Sequence, residues 1–89
     1  MRFQPGRILA TAGSLKAMEE AGVNPALLLE RHLSGDWGDL CHEDRAENEL
    51  SLKEGFRLLS CYTLTSSERI WLITEADRSA TTFLLPSEY

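Results

Sequence analysis

Polar and apolar residues follow two different patterns along this chain, with helical spacing in its first part and strand-like runs in its last part. Thr11 and the Asn24-Pro25 pair are helix start signals, because a side-chain oxygen caps free backbone N–H groups and proline fits the first helical turn. Glycine follows each periodic segment, as is common where helices end. The pattern predicts three short helices, at about residues 12–21, 25–33 and 43–54.

The last part of the chain contains three runs rich in β-branched, aromatic and aliphatic residues, separated by polar segments typical of turns. These runs are residues 58–65, 70–74 and 81–85. We therefore predict one α+β domain over residues 1–89, in which three short helices are followed by a three-stranded antiparallel β-meander. Residues 7–11 (Arg-Ile-Leu-Ala-Thr) fit either a short strand or the start of the first helix.

Size and composition are those of a small globular protein. The chain has 89 residues, of which 43% are hydrophobic and 26% charged, and it contains no repeat or low-complexity run. No apolar segment approaches the roughly 18 residues that span a bilayer, and the N-terminus lacks the pattern of a signal peptide. We expect a monomeric cytoplasmic protein, with Cys41 and Cys61 as free thiols.

The net charge is concentrated in one segment. Residues 36–54 contain seven acidic and two basic residues, which gives the whole net charge of −5, while the rest of the chain has seven of each sign. A concentrated negative field attracts cationic surfaces and repels nucleic acid and anionic membranes. We therefore expect no direct binding to nucleic acid or membrane, and a protein surface built to hold phosphates as the natural partner.

The third predicted helix carries most of these acids. The helix dipole stabilises Glu43 and Asp44 in its first turn by about 0.3–1 kcal/mol each. Glu47 lies one turn after Glu43 and repels it, whereas Glu49 and Lys53 have the spacing of a compensating pair. The segment fits either a solvated, overcharged helix face or an acidic surface that binds a partner.

The loop before this helix has a tryptophan between two aspartates, Asp36 and Asp39, with glycines on both sides. In such a loop Trp37 most often fills the edge of the hydrophobic core. An exposed Trp37 would instead be an anchor of the kind that dominates protein interfaces. The core interpretation is the favoured one of the two.

Motifs for metal binding and covalent catalysis are weak. His32 and His42 have no serine or cysteine nucleophile in a recognisable motif, and the adjacent Cys41 and His42 lack the ligand spacing of a zinc site. The chain also has no glycine-rich phosphate loop. We expect no metal, no cofactor and no enzymatic activity.

One cluster keeps an enzymatic alternative open. Glu75, Asp77 and Arg78 lie together in a predicted turn, where they could act as general acid, general base and anion clamp. A local network of turn hydrogen bonds explains the same cluster and is the more common case. This alternative predicts a cleft beside the turn.

Four segments together resemble a known family: residues 32–40 (His-Leu-Ser-Gly-Asp-Trp-Gly-Asp-Leu), 47–49 (Glu-Asn-Glu), 69–82 and the C-terminal 84–89. The chain is similar to the small "plasmid-related" proteins of bacterial mobile elements, and the resemblance covers nearly its whole length. It implies an anti-CRISPR inhibitor in a bacterial host, with the type I-C system as the first candidate target. The family offers no catalytic motif.

The prediction from the sequence is therefore an inhibitor that binds a type I CRISPR effector complex through an acidic, DNA-mimicking surface and blocks engagement of target DNA or of the PAM. The alternative is a regulatory or antitoxin-like module that binds another basic host protein. The predicted partner-binding residues are Asp36, Trp37, Asp39, Glu43, Asp44, Glu47 and Glu54.

Overall fold

Helices and strands succeed one another largely as the sequence predicts. The structure is a computed structural model that describes residues 1–89. Its helices are α1 (Ala12–Glu20), α2 (Pro25–Ser34) and α3 (His42–Glu54), and its strands are β1 (Arg7–Ala10), β2 (Leu58–Thr63), β3 (Arg69–Thr74) and β4 (Ala80–Leu84), with a short 3-10 helix at Pro86–Glu88.

The helix boundaries agree with the capping signals. The Thr11 side chain accepts a hydrogen bond from the backbone N–H of Ser14, and the Asn24 side chain accepts one from Ala26. Gly35 ends α2 with a φ of 88°, a left-handed conformation that glycine adopts without strain. Local hydrogen bonds thus fix where the first two helices begin.

The sheet corrects the prediction of a three-stranded antiparallel meander. It has four strands in the order β1-β4-β3-β2, and β1 pairs with β4 in parallel, so the sheet is mixed. The other pairs, β2 with β3 and β3 with β4, are antiparallel as predicted. Residues 7–11 left both interpretations open because a four-residue strand shows too little alternation to identify, and its partner lies at the other end of the chain.

One face of the sheet packs against α1 and α2 and forms the main core. Met18 of α1 and Leu28 of α2 contact Tyr62, Leu72 and Phe83 of the sheet, and all of these side chains are buried. The cross-strand register places Tyr62 beside Ile70 and Leu72 beside Phe83 on this face. On the opposite face, the Tyr89 ring lies edge-on to Trp71 at 5.7 Å between centroids, and Cys61, Ile73 and Leu84 are also buried.

A smaller cluster joins α3 to the rest of the molecule. Phe3, Trp37 and Leu58 are buried together, and Leu52 of α3 packs against them. The other residues of α3 are exposed except Asn48 and Ser51. This helix therefore lies on the surface beside β2, as its small number of apolar residues predicts.

Candidate functional site

The seven acids of residues 36–54 separate into two groups in the structure. Asp36, Asp39 and Glu49 form hydrogen bonds to groups in other parts of the fold. The remaining four acids, all on α3, are exposed and take part in no salt bridge. These four are Glu43, Asp44, Glu47 and Glu54.

Asp36 holds the loop to the end of α2. Its carboxylate accepts a hydrogen bond from Arg31 Nε at 2.7 Å and another from the backbone N–H of Gly38 at 3.2 Å. The Arg31 guanidinium lowers the pKa of this carboxyl below its ordinary value. Tyr62 donates its hydroxyl hydrogen to the Asp36 carbonyl oxygen at 2.7 Å, and burial raises the pKa of Tyr62 to about 12. The charge of Asp36 is thus balanced inside the protein.

Trp37 is part of the core, as the favoured interpretation of its loop predicts. Its side chain is 4% exposed, and its ring stacks with Phe3 at a centroid distance of 6.2 Å. The indole Nε1 donates a hydrogen bond to Glu49 Oε2 at 3.1 Å. A partner could reach this ring only if the core opened, so Trp37 is not an accessible anchor.

Glu49 forms a salt bridge with Arg2, a residue far from it in the sequence. Both of its carboxylate oxygens accept hydrogen bonds from the Arg2 guanidinium, at 2.9 and 2.8 Å. Arg2 lowers the pKa of Glu49, and the Trp37 indole adds to that effect. The pairing with Lys53 that the sequence suggests does not form, because Arg2 offers a bidentate contact.

Asp39 and Asn48 cap the outer edge of β2. The backbone of the loop pairs with Cys61, since the Trp37 oxygen accepts from Cys61 and the Asp39 N–H donates to it. The Asp39 carboxylate accepts the N–H of Thr63 at 3.1 Å, and this contact lowers the pKa of Asp39. The Asn48 side chain bonds both backbone groups of Leu59. The edge of β2 is therefore closed to further strands.

Gly38 allows the loop to approach β2 this closely. Its φ is +74°, and a Cβ atom at this position would lie 2.1 Å from the Cys61 carbonyl oxygen. No residue with a side chain fits that space without moving the backbone. The glycine-aspartate pattern of this loop is thus explained by edge capping.

A buried histidine lies beside Trp37. His32 is fully buried, and its Nδ1 and Nε2 are 2.6 Å from Ser60 Oγ and 2.8 Å from Thr74 Oγ1. Thr74 in turn contacts Thr81, whose hydroxyl donates to the carbonyl oxygen of Pro5.

The direction of this hydrogen-bond chain fixes the histidine tautomer. A carbonyl oxygen can only accept, so each group back along the chain donates to the next, and His32 donates from Nε2 and accepts at Nδ1. Burial lowers the pKa of His32 to about 4, so the ring is neutral at pH 7. His32 therefore has a structural role.

The outer face of α3 carries acidic side chains that form no salt bridge within the chain. Glu43, Glu47, Leu50 and Glu54 recur at intervals that place them along one side of a helix, opposite the buried Asn48. We call the three glutamates of this row, Glu43, Glu47 and Glu54, the acidic stripe. Asp44 flanks it, and none of its glutamates forms a salt bridge.

Apolar side chains lie next to the acidic stripe. Leu50 is 50% exposed and Phe56, just after the helix, is 55% exposed, and together with Glu47 and Arg57 they line a shallow groove. The Arg57 guanidinium lies over the Tyr89 ring, 5.0 Å from its centroid, and makes no salt bridge with the helix. Large exposed apolar groups surrounded by charge are typical of protein interfaces. Sequence reasoning missed this pair because the exposure of an apolar side chain depends on what the rest of the fold covers.

The turn at residues 75–78 is held by its own hydrogen bonds. Arg78 donates to the backbone oxygens of Phe56, Glu75, Ala76 and Ser51. Asp77 accepts the N–H of Ser79 at 3.0 Å, which lowers the pKa of Asp77. The guanidinium that would clamp a substrate anion is already used to join the turn to α3.

Other kinds of site find little support among the described residues. No three His, Cys, Asp or Glu side chains are close enough together to hold a metal ion. Cys41 is exposed and Cys61 buried, and both are free thiols. None of the helices has the length and hydrophobicity that crossing a bilayer requires. Comparisons with protein-family models, with curated proteins and with solved structures found no match.

Proposed function

We propose that this protein binds a cationic, nucleic-acid-binding partner through the outer face of α3, and that it inhibits a type I CRISPR effector complex by standing in for DNA phosphates. The observation that carries the proposal is the acidic stripe, in which Glu43, Glu47 and Glu54 share one exposed helix face and form no salt bridge within the chain. The resemblance to mobile-element proteins supplies the class of partner.

Two of these glutamates are unfavourable for the helix itself. Glu47 repels Glu43 one turn away, by roughly 0.2–0.5 kcal/mol. Glu54 is the last residue of α3, where the helix dipole disfavours negative charge. Charges that cost stability and have no partner in the fold are expected where a binding partner uses them.

The dimensions of the stripe suit a mimic of a short stretch of DNA backbone. The helical rise separates Glu43 from Glu54 by about 16 Å along the axis. That length corresponds to about five phosphates of one strand, at about 3.4 Å each. The three carboxylates lie further apart than successive phosphates, by about 6 Å and about 10 Å of helical rise. In this proposal they meet only some of the Lys and Arg side chains of a phosphate-binding channel, and the bound protein excludes target DNA.

Leu50 and Phe56 add the apolar contact that charge alone does not supply. Long-range attraction speeds encounter, whereas buried apolar anchors slow dissociation. In this proposal Leu50 and Phe56 take the anchoring role that an exposed Trp37 would have had. Asp36 and Asp39 position the loop and α3 and do not contact the partner.

The test neutralises the stripe without touching the core. Glu43→Gln, Glu47→Gln and Glu54→Gln are combined in one variant, and its affinity for purified type I effector complexes, type I-C first, is measured together with DNA binding by those complexes. We expect affinity to fall by a factor of ten or more and DNA binding to be restored. The salt dependence of the remaining binding should also be weaker, because fewer charges take part.

The matched control removes the same charge from another surface. Glu19→Gln, Glu20→Gln and Glu30→Gln lie on exposed positions of α1 and α2, and this variant should inhibit like the parent. Inhibition that survives neutralisation of the stripe, or that falls equally in both variants, would contradict the proposal. A pull-down in which the stripe captures a different basic protein would favour the regulatory alternative.

A further inference from the structure

The two edges of the sheet differ in that one is covered by other parts of the chain and the other is open. The edge of β2 is closed by the Trp37–Asp39 loop and by Asn48, as described above. The edge of β1 has no such cover, and all its residues are exposed, with Ile8 at 46% and Leu9 at 40%. Proteins usually block open sheet edges, because the unpaired backbone groups there can pair with another chain. An uncovered edge in a sheet whose other edge is closed therefore indicates a strand that pairs with a partner.

Backbone geometry identifies the free groups on this edge. The N–H groups of Arg7 and Thr11 donate to Ser79 and Phe83, toward β4. Because backbone groups point to alternate sides along a strand, the N–H and C=O of Ile8 and Ala10 point outward. We propose that β1 pairs with the β1 strand of a second copy of this chain, antiparallel and about a two-fold axis that passes between the two Leu9 residues.

This register is self-complementary. Ile8 of one copy faces Ala10 of the other in a hydrogen-bonded pair, and the symmetric pair repeats the same contacts. Leu9 faces Leu9 in the non-hydrogen-bonded position, where side chains are closest, so two half-exposed leucines cover one another. The same pairing thus gives the free backbone groups of β1 hydrogen-bond partners and covers its exposed apolar side chains.

Charge complementarity favours a second copy over an unrelated peptide. The pairing sets Arg7 opposite Thr11 of the other copy, and the Thr11 hydroxyl donates to Glu88 Oε1 at 2.7 Å. Arg7 forms no salt bridge within its own chain. A long Arg7 side chain can therefore reach the Glu88 carboxylate across the two-fold axis, and the contact occurs twice.

The dimer would leave the surface of the proposed function free. β1 and β2 are the opposite edges of the sheet, and α3 lies beside β2. Two copies joined at β1 present their acidic stripes at far ends of one continuous sheet. Dimerisation and partner binding are consequently separate properties, and each can fail without the other.

The first experiment is sedimentation equilibrium over about 10 µM to about 1 mM, because a single short strand pair buries less than a standard interface. We expect a concentration-dependent dimer. Ala10→Pro removes an outward N–H and should weaken dimerisation at least about tenfold, since proline is tolerated at such edge positions. Ala10→Val keeps the N–H and should dimerise like the parent. A monomer throughout the range, or a dimer unaffected by Ala10→Pro, overturns the proposal.

The second experiment tests the register and does not depend on the proline variant folding. In a Cys41→Ser background, Leu9→Cys should form an intermolecular disulfide under mild oxidation, because facing residues of a non-hydrogen-bonded pair lie within disulfide range. Ala10→Cys faces Ile8 of the other copy and should cross-link poorly. Equal cross-linking at both positions, or none at Leu9→Cys, overturns the proposed axis.

Discussion

Both the inner and the outer sides of α3 carry acidic residues, but only those on the inner side are bound by other parts of the fold. On the inner side and in the loop before it, Asp36, Asp39 and Glu49 each accept hydrogen bonds from other parts of the fold. On the outer side, Glu43, Glu47 and Glu54 have no partner in the chain. Acidic residues that are neighbours in sequence thus divide into a structural group and a free group.

Acidic residues that are clustered in the sequence therefore need not form one charged surface in the folded protein. The segment holds all of the net charge, yet its loop aspartates are used to close the edge of β2 and to bind Arg31. On α3, by contrast, three exposed carboxylates that form no salt bridge share one helix face. The predicted partner-binding set therefore narrows, as a proposal, to the acidic stripe and Asp44, with Leu50 and Phe56 added.

The largest expected effect on stability comes from removing the Trp37 ring, which packs beneath the inner side of α3. Trp37→Ala should lower the free energy of unfolding by about 3–5 kcal/mol, because it leaves a cavity beside Phe3 and Leu58. Urea denaturation measures this change. Leu50→Ala is the control on the outer side and should alter stability little while weakening partner binding. A stable Trp37→Ala variant with reduced binding would reverse the assignment of the two sides.

The next effect is a loss of stability in mild acid that depends on His32. The folded protein holds His32 neutral with a pKa of about 4, whereas the unfolded chain protonates it near 6.5. The stabilisation is complete above pH 6.5 and falls as the pH drops toward 4, by about 2 kcal/mol at pH 5. Denaturation curves at pH 7 and pH 5 test this, and carboxyls with lowered pKa stay ionised in that range.

The exposed His42 provides the control for this pH effect. His42→Asn should keep the full loss of stability between pH 7 and pH 5, because the side chain lies in water at the start of α3. A pH profile that flattens in this variant would show that the effect does not come from the buried ring.

The smallest expected effect is the change in stability when one glutamate of α3 is neutralised, and its sign differs between the two sides of the helix. Glu47→Gln should raise stability by a few tenths of a kcal/mol, since it relieves repulsion with Glu43. Glu49→Gln should lower stability, because the charge that binds Arg2 is lost. The two variants differ only in position, so their chemical denaturation midpoints give a direct comparison. Equal signs would mean that the two sides do not differ as the structure indicates.

Much of the fold was predictable from local signals, and the exceptions share one cause. The helix limits follow from Thr11, Asn24 and the glycines after each helix, all of which act within a few residues. The antiparallel hairpins also join neighbouring segments. Strand β1 could not be predicted with the same certainty, because its only partner, β4, comes from the far end of the chain.

The candidate site shows the same division. Helical spacing alone places Glu43, Glu47 and Glu54 on one face of α3, so the acidic stripe is a property of the sequence. The contact between Glu49 and Arg2 could not be found that way, because 47 positions separate the two residues. Leu50 and Phe56 were missed for a related reason, since exposure depends on what the rest of the fold covers.

By itself the sequence determined the class of fold, the ends of the helices and the helix face that Glu43, Glu47 and Glu54 share, because caps and periodicity act through hydrogen bonds and geometry between near neighbours. Only the tertiary structure decided which acids are neutralised, that Trp37 is enclosed, and that one sheet edge is closed while the other is open. Those outcomes depend on groups brought together from distant segments, and proximity of that kind is created by folding.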